Sequence, residues 1–514
     1  MYLKINGDLN KYYLQTICML YFPGATFAES EDETAEEMAE FWRRDFDDAV
    51  EVSCRFTSVG YTGFGKKTVK CDGFHGFAEG DHDPRTKASK IAAGLAALDA
   101  GYEMFGCRPA WGILTGIRPA KIASELISAR DENGARVFSS EAARNVLTRE
   151  YLVSPKKAAL AVEIARSEQK VIRLAGDGRE PYTCSVYVSI PFCPTRCSYC
   201  SFVSYSTKKL LSLVPEYLLR ICEDARRLLT YLKERGFKVL TVYIGGGTPT
   251  TLSDEQLAVL LGTLADNIPI KRLHEFTLEA GRPDTITKKK LEVAKEFGVT
   301  RTSINPQTMN DKVLREIGRR HTVSDFMKAY DMARQVGIEQ INTDLIAGLP
   351  GDGYKGFSRS LDKILRLAPE NVTVHTFCVK KSSEILRLDT EIYNRSADET
   401  VKAVDYSQVT LKNAGYHPYY VYRQKNTVGN LENVGYSQRG YDGLYNVLMM
   451  EELHSIFAVG AGAVTKLVKC DENGKKYIER IYEPKYPYEY LAQNSEESMV
   501  EKLRRCDKFF DFQA

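Results

Sequence analysis

The sequence lacks a long hydrophobic run, a strong charge of one sign and any internal repeat. No apolar stretch approaches the ~18 residues that a membrane-spanning helix needs. The first eight residues include an acid and no continuous apolar segment, unlike a signal peptide, so we expect a cytoplasmic protein. Seventy basic and 68 acidic side chains leave a net charge of +2, which argues against a nucleic-acid partner.

The chain, at 514 residues, is too long for a single hydrophobic core. The residue patterns predict four parts: an N-terminal α+β domain at 1–110, a helical connecting region at 111–177, a core at 178–390 and a C-terminal domain at 391–514. Within the first part, the acidic segment 29–40 predicts a solvated helix. The organisation expected is therefore multidomain.

Strand and helix patterns alternate within the core region. Strands are predicted at 185–190, 239–244, 275–280, 301–305, 340–346 and 371–376, with helices at 214–235, 254–266, 287–297, 311–317 and 323–336. This alternation predicts an α/β fold whose parallel sheet is either doubly wound or curled into a barrel. Glycine and charge at the strand ends favour the barrel, with its site at the carboxyl-end mouth. Beyond the core, residues 419–446 predict a long loop.

Three of the twelve cysteines cluster, and they lack a fourth ligand. Cys193, Cys197 and Cys200 lie in "SIPFCPTRCSYCSF", whereas the other nine are scattered singly. No further cysteine or histidine lies close enough in sequence for a structural zinc pattern. A redox pair at Cys197 and Cys200 would leave Cys193 unexplained. Three thiolates could instead hold three irons of a [4Fe-4S] cluster and leave the fourth iron open to another ligand.

Two further motifs follow the second and third predicted strands. Gly246, Gly247 and Thr248 belong to "YIGGGTPTTL", in which glycines let the backbone approach a ligand closely. Glu279 ends the third strand in "LEAGRPDTI" and is predicted to point into the mouth. A glycine-rich turn alone is weak evidence, and a helix cap or a surface ion pair would also explain Glu279.

Three polar residues lie at or after later strand ends. Gln307, Arg319 and Asp344 occur in "SINPQTMND", "IGRRHT" and "DLIAGLPGD". Each has a structural explanation as well: a loop amide, a solvated arginine and a turn-capping aspartate. Their order along the chain is what makes them candidates.

The cysteine motif, with Tyr199 before its last cysteine, resembles that of the radical S-adenosylmethionine (SAM) enzymes. The ordered motifs, with "VTVHTFCVKK", resemble over residues 180–465 the oxygen-independent coproporphyrinogen III oxidases and their relatives. The N-terminal "RPAWGILTGIRPAK" resembles the coproporphyrinogen dehydrogenase (HemZ) branch of that family, and differs from the short arm of its best-known oxidases. The resemblance implies a radical SAM partial (β/α)6 barrel with an N-terminal α+β domain and a C-terminal mixed α/β extension.

The same resemblance implies the cofactors and the residues that hold them. A [4Fe-4S] cluster would be ligated by Cys193, Cys197 and Cys200, and one or two SAM molecules would bind beside it. The residues implied for SAM bound at the cluster are Tyr187, Tyr199, Gly246, Gly247, Thr248 and Glu279. Those implied for a neighbouring cavity, with a second SAM or the substrate, are Gln307, Arg319, Asp344 and Cys378.

The implied reaction is a radical decarboxylation. One electron from the cluster cleaves SAM, and the resulting 5′-deoxyadenosyl radical takes a hydrogen atom from a propionate; loss of carbon dioxide and an electron leaves a vinyl group. Two such steps would convert coproporphyrinogen III into protoporphyrinogen IX. The implied partners are a small-molecule tetrapyrrole and a reductant such as flavodoxin or ferredoxin. Arg319 is a candidate propionate partner, because a guanidinium binds carboxylate bidentately.

Three other functions fit the same motifs. Related proteins resemble haem chaperones, in which case His321 or His375 could be an axial ligand, although a core or loop role is expected for each. An RNA-modifying radical SAM enzyme would use residues 1–170 as its RNA module, but the near-neutral charge and the lack of a basic aromatic stripe oppose it. A haem-modifying enzyme would be recognised by the mass of its product.

Overall fold

The computed structural model describes most of the chain in two compact units. The described residues are 1–28, 36–73, 75, 83–200, 205–378, 397–424, 427–472 and 474–512. Unit 1 comprises residues 1–169 and 421–432, and unit 2 comprises residues 170–420 and 433–514. The division into four parts at residues 110, 177 and 390 stays a prediction.

Unit 1 contains a four-stranded sheet in the order β1-β2-β3-β4. The strands are β1 Tyr2–Asn6, β2 Met38–Asp45, β3 Ala49–Ser58 and β4 Tyr61–Lys70. The first two strands are parallel, and the remaining pairs are antiparallel. The helices are α1 Lys11–Cys18, α2 Pro84–Phe105, α3 Lys121–Ser128, α4 Ser140–Arg149 and α5 Pro155–Ala175, the last of which continues into unit 2.

Helix α2 shows how local sequence sets the boundaries of an element. The Asp83 side chain accepts hydrogen bonds from the backbone of Arg85 and Thr86, and Pro84 occupies the first helical position. Gly106 ends the helix in a left-handed conformation, with φ of 68°. The helix predicted near 86–100 is confirmed and is longer at its carboxyl end.

A buried ion pair ties residues 421–432 to the rest of unit 1. The Lys157 Nζ lies 2.6 Å from the Glu432 Oε1, and these side chains are 3% and 0% exposed. The Trp111 Nε1 donates to the other carboxylate oxygen at 2.8 Å. Because a buried charge without a partner is costly, the segment and α5 stabilise each other.

Unit 2 is built on six parallel strands that are neighbours in chain order. They are β5 Thr183–Ile190, β6 Lys238–Gly246, β7 Glu275–Glu279, β8 Arg301–Ser303, β9 Gln340–Ala347 and β10 Asn371–Thr376. Helices separate them along the chain, as right-handed crossovers require. The predicted α/β class, with a parallel central sheet consistent with a partial barrel, is confirmed.

Five more strands extend this sheet to eleven, in the order β11-β12-β10-β9-β8-β7-β6-β5-β13-β14-β15. They are β11 His417–Arg423, β12 Glu432–Ser437, β13 Ser455–Val459, β14 Val464–Cys470 and β15 Lys476–Tyr482. Strand β12 runs antiparallel to β10, whereas β13 runs parallel to β5. The C-terminal residues therefore add strands at each side of the parallel array.

Eleven α-helices lie within unit 2 in the described part of the chain. They are α6 Lys208–Leu211, α7 Val214–Glu234, α8 Asp254–Asn267, α9 Lys288–Glu296, α10 Asp311–Glu316, α11 Val323–Val336, α12 Tyr354–Leu367, α13 Ala397–Asn413, α14 Leu444–Met450, α15 Pro487–Ala492 and α16 Ser495–Phe510. Helix α7 buries Ile221, Ala225 and Leu228 at helical spacing in the core that also holds Val186 and Val242.

The six predicted parallel strands and the five predicted helices between them are confirmed within a few residues. Two other predictions are wrong. The acidic segment 29–40 was predicted to be helical, but Met38 begins β2, and residues 29–35 lie outside the described part of the chain. The loop predicted at 419–446 contains most of β11, all of β12 and the start of α14. None of the helices that the structure describes is long and apolar enough to cross a membrane.

Substitution of Lys157 by methionine is expected to destabilise unit 1 by about 3–5 kcal/mol, because it leaves the Glu432 carboxylate buried without its counter-charge. Urea unfolding followed by tryptophan fluorescence measures this, since the two tryptophans, Trp42 and Trp111, lie in unit 1. The matched control is Lys66→Met, which removes a lysine that is 52% exposed from its pair with Glu51. The control should cost about 0–1 kcal/mol; equal losses in the two variants would contradict the prediction.

Candidate functional site

Strand alternation places a set of polar side chains on the face opposite the helix-covered core. Successive strand residues point to opposite faces, and the apolar core contains Val186, Val242 and Leu278. The intervening Tyr187 and Tyr243 are paired across β5 and β6, and they belong to the other face. Glu279 ends β7 on that face, beside Leu278. The structure therefore collects the predicted residues at the carboxyl ends of the parallel strands.

The three clustered cysteines lie on the loop that follows β5. Cys193 and Cys197 are each 7% exposed, and Cys200 is half-buried. The Cys193 backbone N–H donates to the Tyr205 carbonyl at 3.0 Å, and the Ser198 N–H donates to the Ile317 carbonyl at 3.1 Å. Burial raises the pKa of Cys193 to about 11, although the Thr248 hydroxyl lowers it. The loop is held from two sides, and its thiols are largely shielded from water.

The donor set fits an iron–sulfur cluster in its chemistry. In the described part of the chain, no three His, Cys, Asp or Glu side chains are arranged to hold a single metal ion. The geometric requirement differs for a [4Fe-4S] cluster, in which each thiolate binds a different iron. Three thiols on one buried loop match that requirement in type and number.

The glycine turn after β6 lies directly against the cysteine loop. The Gly247 N–H donates to the Ile190 carbonyl and the Thr248 N–H to the Phe192 carbonyl, each at 2.8 Å. A side chain on Gly247 would place its Cβ 2.6 Å from the Phe192 oxygen, so only glycine fits. The Thr248 Oγ1 lies 3.2 Å from the Cys193 Sγ. The cysteine motif and the glycine motif, which were predicted separately, are thus in direct contact.

Glu279 lies beside the same turn, with its carboxylate held by protein donors. The Tyr243 hydroxyl and the Gly246 N–H donate to it. A Cβ on Gly245 would lie 2.7 Å from the Glu279 Oε2. Burial, followed by the negative charge of Asp344, raises the pKa of Glu279 to about 8, while the two donors and Arg319 lower it. The carboxyl group therefore titrates close to neutral pH.

Arg319 reaches the cysteine loop through Tyr199. Its Nη2 and Nε donate to the Tyr199 hydroxyl at 3.0 and 3.3 Å. Its Nη1 donates to the carbonyls of Gly281 at 2.9 Å and Asn305 at 3.4 Å. Arg319 is 8% exposed, so it is not a solvated arginine. Its buried guanidinium links the cysteine loop to the segment after β7.

Asp344 lies within β9, not at the strand end that the sequence predicts, and it meets Gln307 in the segment after β8. The Gln307 N–H donates to the Asp344 carbonyl at 3.0 Å, and Gln307 adopts a φ of +67°. The Asp344 carboxylate accepts from the side-chain amides of Asn305 and Asn342, each at 2.7 Å, and lies 3.5 Å from the His375 Nε2. Burial would raise the pKa of Asp344, but His375 and the amide donors hold it below its ordinary value. Asp344 therefore stays ionised beside a Glu279 that does not.

Tyr187 belongs to a stack of three tyrosines. Its ring centroid lies 6.1 Å from that of Tyr243 and 6.2 Å from that of Tyr445 on α14. The Tyr243 and Tyr445 centroids are 4.6 Å apart with the rings 24° from parallel. Cys378 lies two residues after β10 and is half-buried. Through Tyr243, these near-parallel rings adjoin Glu279.

Three residues of this site were not predicted from the sequence. Tyr243 holds Glu279, Tyr445 completes the stack, and Arg282 donates to the Cys197 Sγ at 3.2 Å. Period-two alternation along β6 could have placed Tyr243 on the face of Gly245. The target of Arg282 depends on the path of two loops, and Tyr445 comes from a distant helix. The roles of Arg282 and Tyr445 therefore cannot be predicted from local sequence patterns.

Comparisons with known proteins identify a family model, related sequences and a solved structure that resemble this chain. The family model of the radical SAM superfamily matches residues 187–364. The oxygen-independent coproporphyrinogen-III oxidase-like protein HemZ of Bacillus subtilis (strain 168) is 38% identical over 79% of this chain and 79% of its own length. The heme chaperone HemW of the same organism is 30% identical over 62% of this chain and 81% of its own length. Coproporphyrinogen III oxidase (HemN) from Escherichia coli aligns with a TM-score of 0.44 and 19% identity, over 61% of this chain and 74% of that one.

Substitution of Glu279 by glutamine is expected to stabilise the cofactor-free protein increasingly as the pH rises from 5 to 8. The carboxyl pKa is near 4.5 when unfolded and about 8 when folded, so the folded state binds the extra proton and wild-type stability falls across this interval. The gain is at most about 1.4 kcal/mol per pH unit. Urea unfolding followed by circular dichroism at several pH values measures it.

The control for this experiment is Glu292→Gln, which neutralises a carboxylate that is 49% exposed on α9. Its stability difference from the wild type should stay constant over the same interval. A constant difference for Glu279→Gln as well would show that this carboxyl does not titrate as the geometry requires.

Proposed function

The chain belongs to the radical SAM superfamily, in the family of oxygen-independent coproporphyrinogen III oxidase-like proteins, and on this basis we propose that it decarboxylates the propionates of coproporphyrinogen III. Proteins of this family use a [4Fe-4S] cluster and SAM. When bound, these cofactors supply the one-electron chemistry that removes a hydrogen atom from a propionate side chain. Each propionate then loses carbon dioxide and one electron, which passes to a one-electron acceptor, and becomes a vinyl group. The product of two such reactions is protoporphyrinogen IX.

The main observation behind the proposal is that the cysteine loop, the glycine turn and Glu279 lie together at the carboxyl ends of neighbouring parallel strands. Cys193, Cys197 and Cys200 are proposed to ligate three irons, which leaves the fourth for SAM. A reductant such as flavodoxin or ferredoxin is proposed to supply the electron. Because burial raises the pKa of Cys193, iron binding must release the proton of this thiol, and affinity for the cluster should rise with pH.

The residues around the glycine turn are suited to hold the amino-acid part of SAM. Gly246, Gly247 and Thr248 offer backbone groups, and the glycines keep the approach open. An ammonium group beside Glu279 would favour the ionised carboxylate and draw its raised pKa down. Tyr187 and Tyr199 are proposed to flank the bound cofactors. In this arrangement Tyr243 is proposed to orient the carboxylate through its hydrogen bond.

The adjoining part of the mouth is proposed to hold a second SAM or the tetrapyrrole. It is formed by Gln307, Asp344 and Arg319, and Cys378 is included by its position after β10. Each nitrogen of the Arg319 guanidinium already donates to a protein oxygen. Its proposed role is therefore to fix Tyr199, and its contact with a propionate stays a prediction.

Haem delivery is the second candidate, because HemW relatives reach 30% identity. Two observations bear on the histidines that could ligate haem. His321 is 2% exposed, and burial lowers its pKa to about 4. His375 lies against the Asp344 carboxylate. An axial role for His321 would require its buried surroundings to open, and His375 is already engaged by a carboxylate of the site, so we favour decarboxylation.

Substitution of Cys197 by alanine is expected to abolish both the iron–sulfur absorbance and the formation of 5′-deoxyadenosine, because two thiolates do not secure the cluster. The measurement is anaerobic reconstitution followed by quantification of iron, sulfide and 5′-deoxyadenosine with coproporphyrinogen III present. Cys71→Ser, which changes a half-buried cysteine of unit 1, is the control and should behave as the wild type. Retained SAM cleavage in Cys197→Ala would contradict the cluster assignment.

The product separates the two candidate functions. We expect the reconstituted wild type to release two molecules of carbon dioxide per tetrapyrrole, with the corresponding loss of mass. SAM cleavage without decarboxylation, together with stoichiometric haem binding, would instead support the chaperone. A gain of a methyl group on haem would support haem modification.

A further inference from the structure

A buried arginine contacts one of the three clustered thiols. Arg282 follows β7 and is 3% exposed. Its Nη1 donates to the Cys197 Sγ at 3.2 Å, within the range of an N–H···S hydrogen bond. No part of the proposed function uses this residue. The contact joins the segment after Glu279 to the centre of the cysteine loop.

The rest of the guanidinium is fixed by other partners. Its Nη2 donates to the Thr195 Oγ1 at 2.6 Å, and its Nη1 lies 3.4 Å from the Thr195 carbonyl. The Asp284 carboxylate accepts from Nε at 3.1 Å and from Nη2 at 3.3 Å. These hydrogen bonds use the forked geometry of the guanidinium, which a lysine lacks. They leave the guanidinium little freedom to turn away from the Cys197 sulfur.

We propose that Arg282 is a positioning residue that donates a hydrogen bond to the Cys197 ligand of the cluster and thereby raises the cluster's reduction potential. The inference rests on the cluster ligation proposed above. Hydrogen bonds to the sulfurs and the local charge are among the factors that set the potential of an iron–sulfur centre. Reduction adds negative charge, which a buried cation at 3.2 Å stabilises more than the oxidised state.

The negative charge of Asp284 opposes the effect of Arg282 on the reduction potential. Burial would raise the pKa of the Asp284 carboxyl, but Arg282 holds it below its ordinary value. The carboxylate therefore offsets part of the charge that Arg282 presents to the sulfur. If Arg282 acted only by holding the loop in place, substitutions at Arg282 and Asp284 would not be expected to shift the reduction potential in opposite directions.

The test is an EPR-monitored redox titration of the reconstituted full-length protein without SAM, at matched iron and sulfide content. Arg282→Gln removes the cation and should make reduction at least about tenfold less favourable, a shift of 59 mV to more negative potential for a one-electron couple. Arg282→Lys keeps the charge without the fork and should fall between this variant and the wild type. Asp284→Asn keeps the arginine and should shift the potential to more positive values.

The matched control is Arg320→Gln, which removes the same charge from an exposed arginine in the neighbouring loop. Its potential should equal that of the wild type. If Arg282→Gln does not retain a cluster, the sign of the shift in Asp284→Asn decides. An unmoved or more negative potential in Asp284→Asn, or an unmoved potential in Arg282→Gln, would overturn the proposal. A wild type that binds no cluster would contradict the ligation and this inference together.

Discussion

The candidate site depends on one close backbone approach, between the glycine turn after β6 and the residues that lead into the cysteine loop. The Gly247 and Thr248 N–H groups bond to the carbonyls of Ile190 and Phe192. This contact depends on the glycine at position 247, where a Cβ would lie 2.6 Å from the Phe192 oxygen. It brings Thr248 to Cys193 and gives Glu279 a backbone donor in Gly246. A larger residue at position 247 would require the turn or the cysteine loop to shift.

A second constraint is the balance of buried charge around that contact. Glu279 and Asp344 share the mouth of the sheet, yet their pKa values move in opposite directions. Asp344 has enough donors to remain an anion, whereas Glu279 is kept close to neutral by burial and by the charge of Asp344. Two carboxyl groups of similar chemistry thus have different tasks, because their surroundings differ. Asp344 is held by its protein donors, and Glu279 is the proposed partner of the SAM ammonium group.

Much of this arrangement could be predicted from the sequence. The parallel strands and their helices follow from hydrophobic periodicity, and the clustered cysteines and Glu279 are placed by strand order. The strand Glu432–Ser437 could not be found in this way, because all six residues are buried although only Val434 and Tyr436 are large apolar side chains. Arg282 and Tyr445 depend on tertiary paths between distant segments. Sequence patterns identified the strand ends, and packing decided which side chains meet there.

The return of residues 421–432 to unit 1 has a consequence for how the chain is made. About 250 residues of unit 2 separate this segment from residue 169. At about 5–20 residues per second, a ribosome needs roughly 12–50 s to synthesise them. During that time the nascent unit 1 has neither Glu432 for Lys157 nor an acceptor for the Trp111 N–H. Residues 1–169 can therefore complete their buried ion pair only after residue 432 has been synthesised, so the last step in the packing of unit 1 must follow the synthesis of most of unit 2.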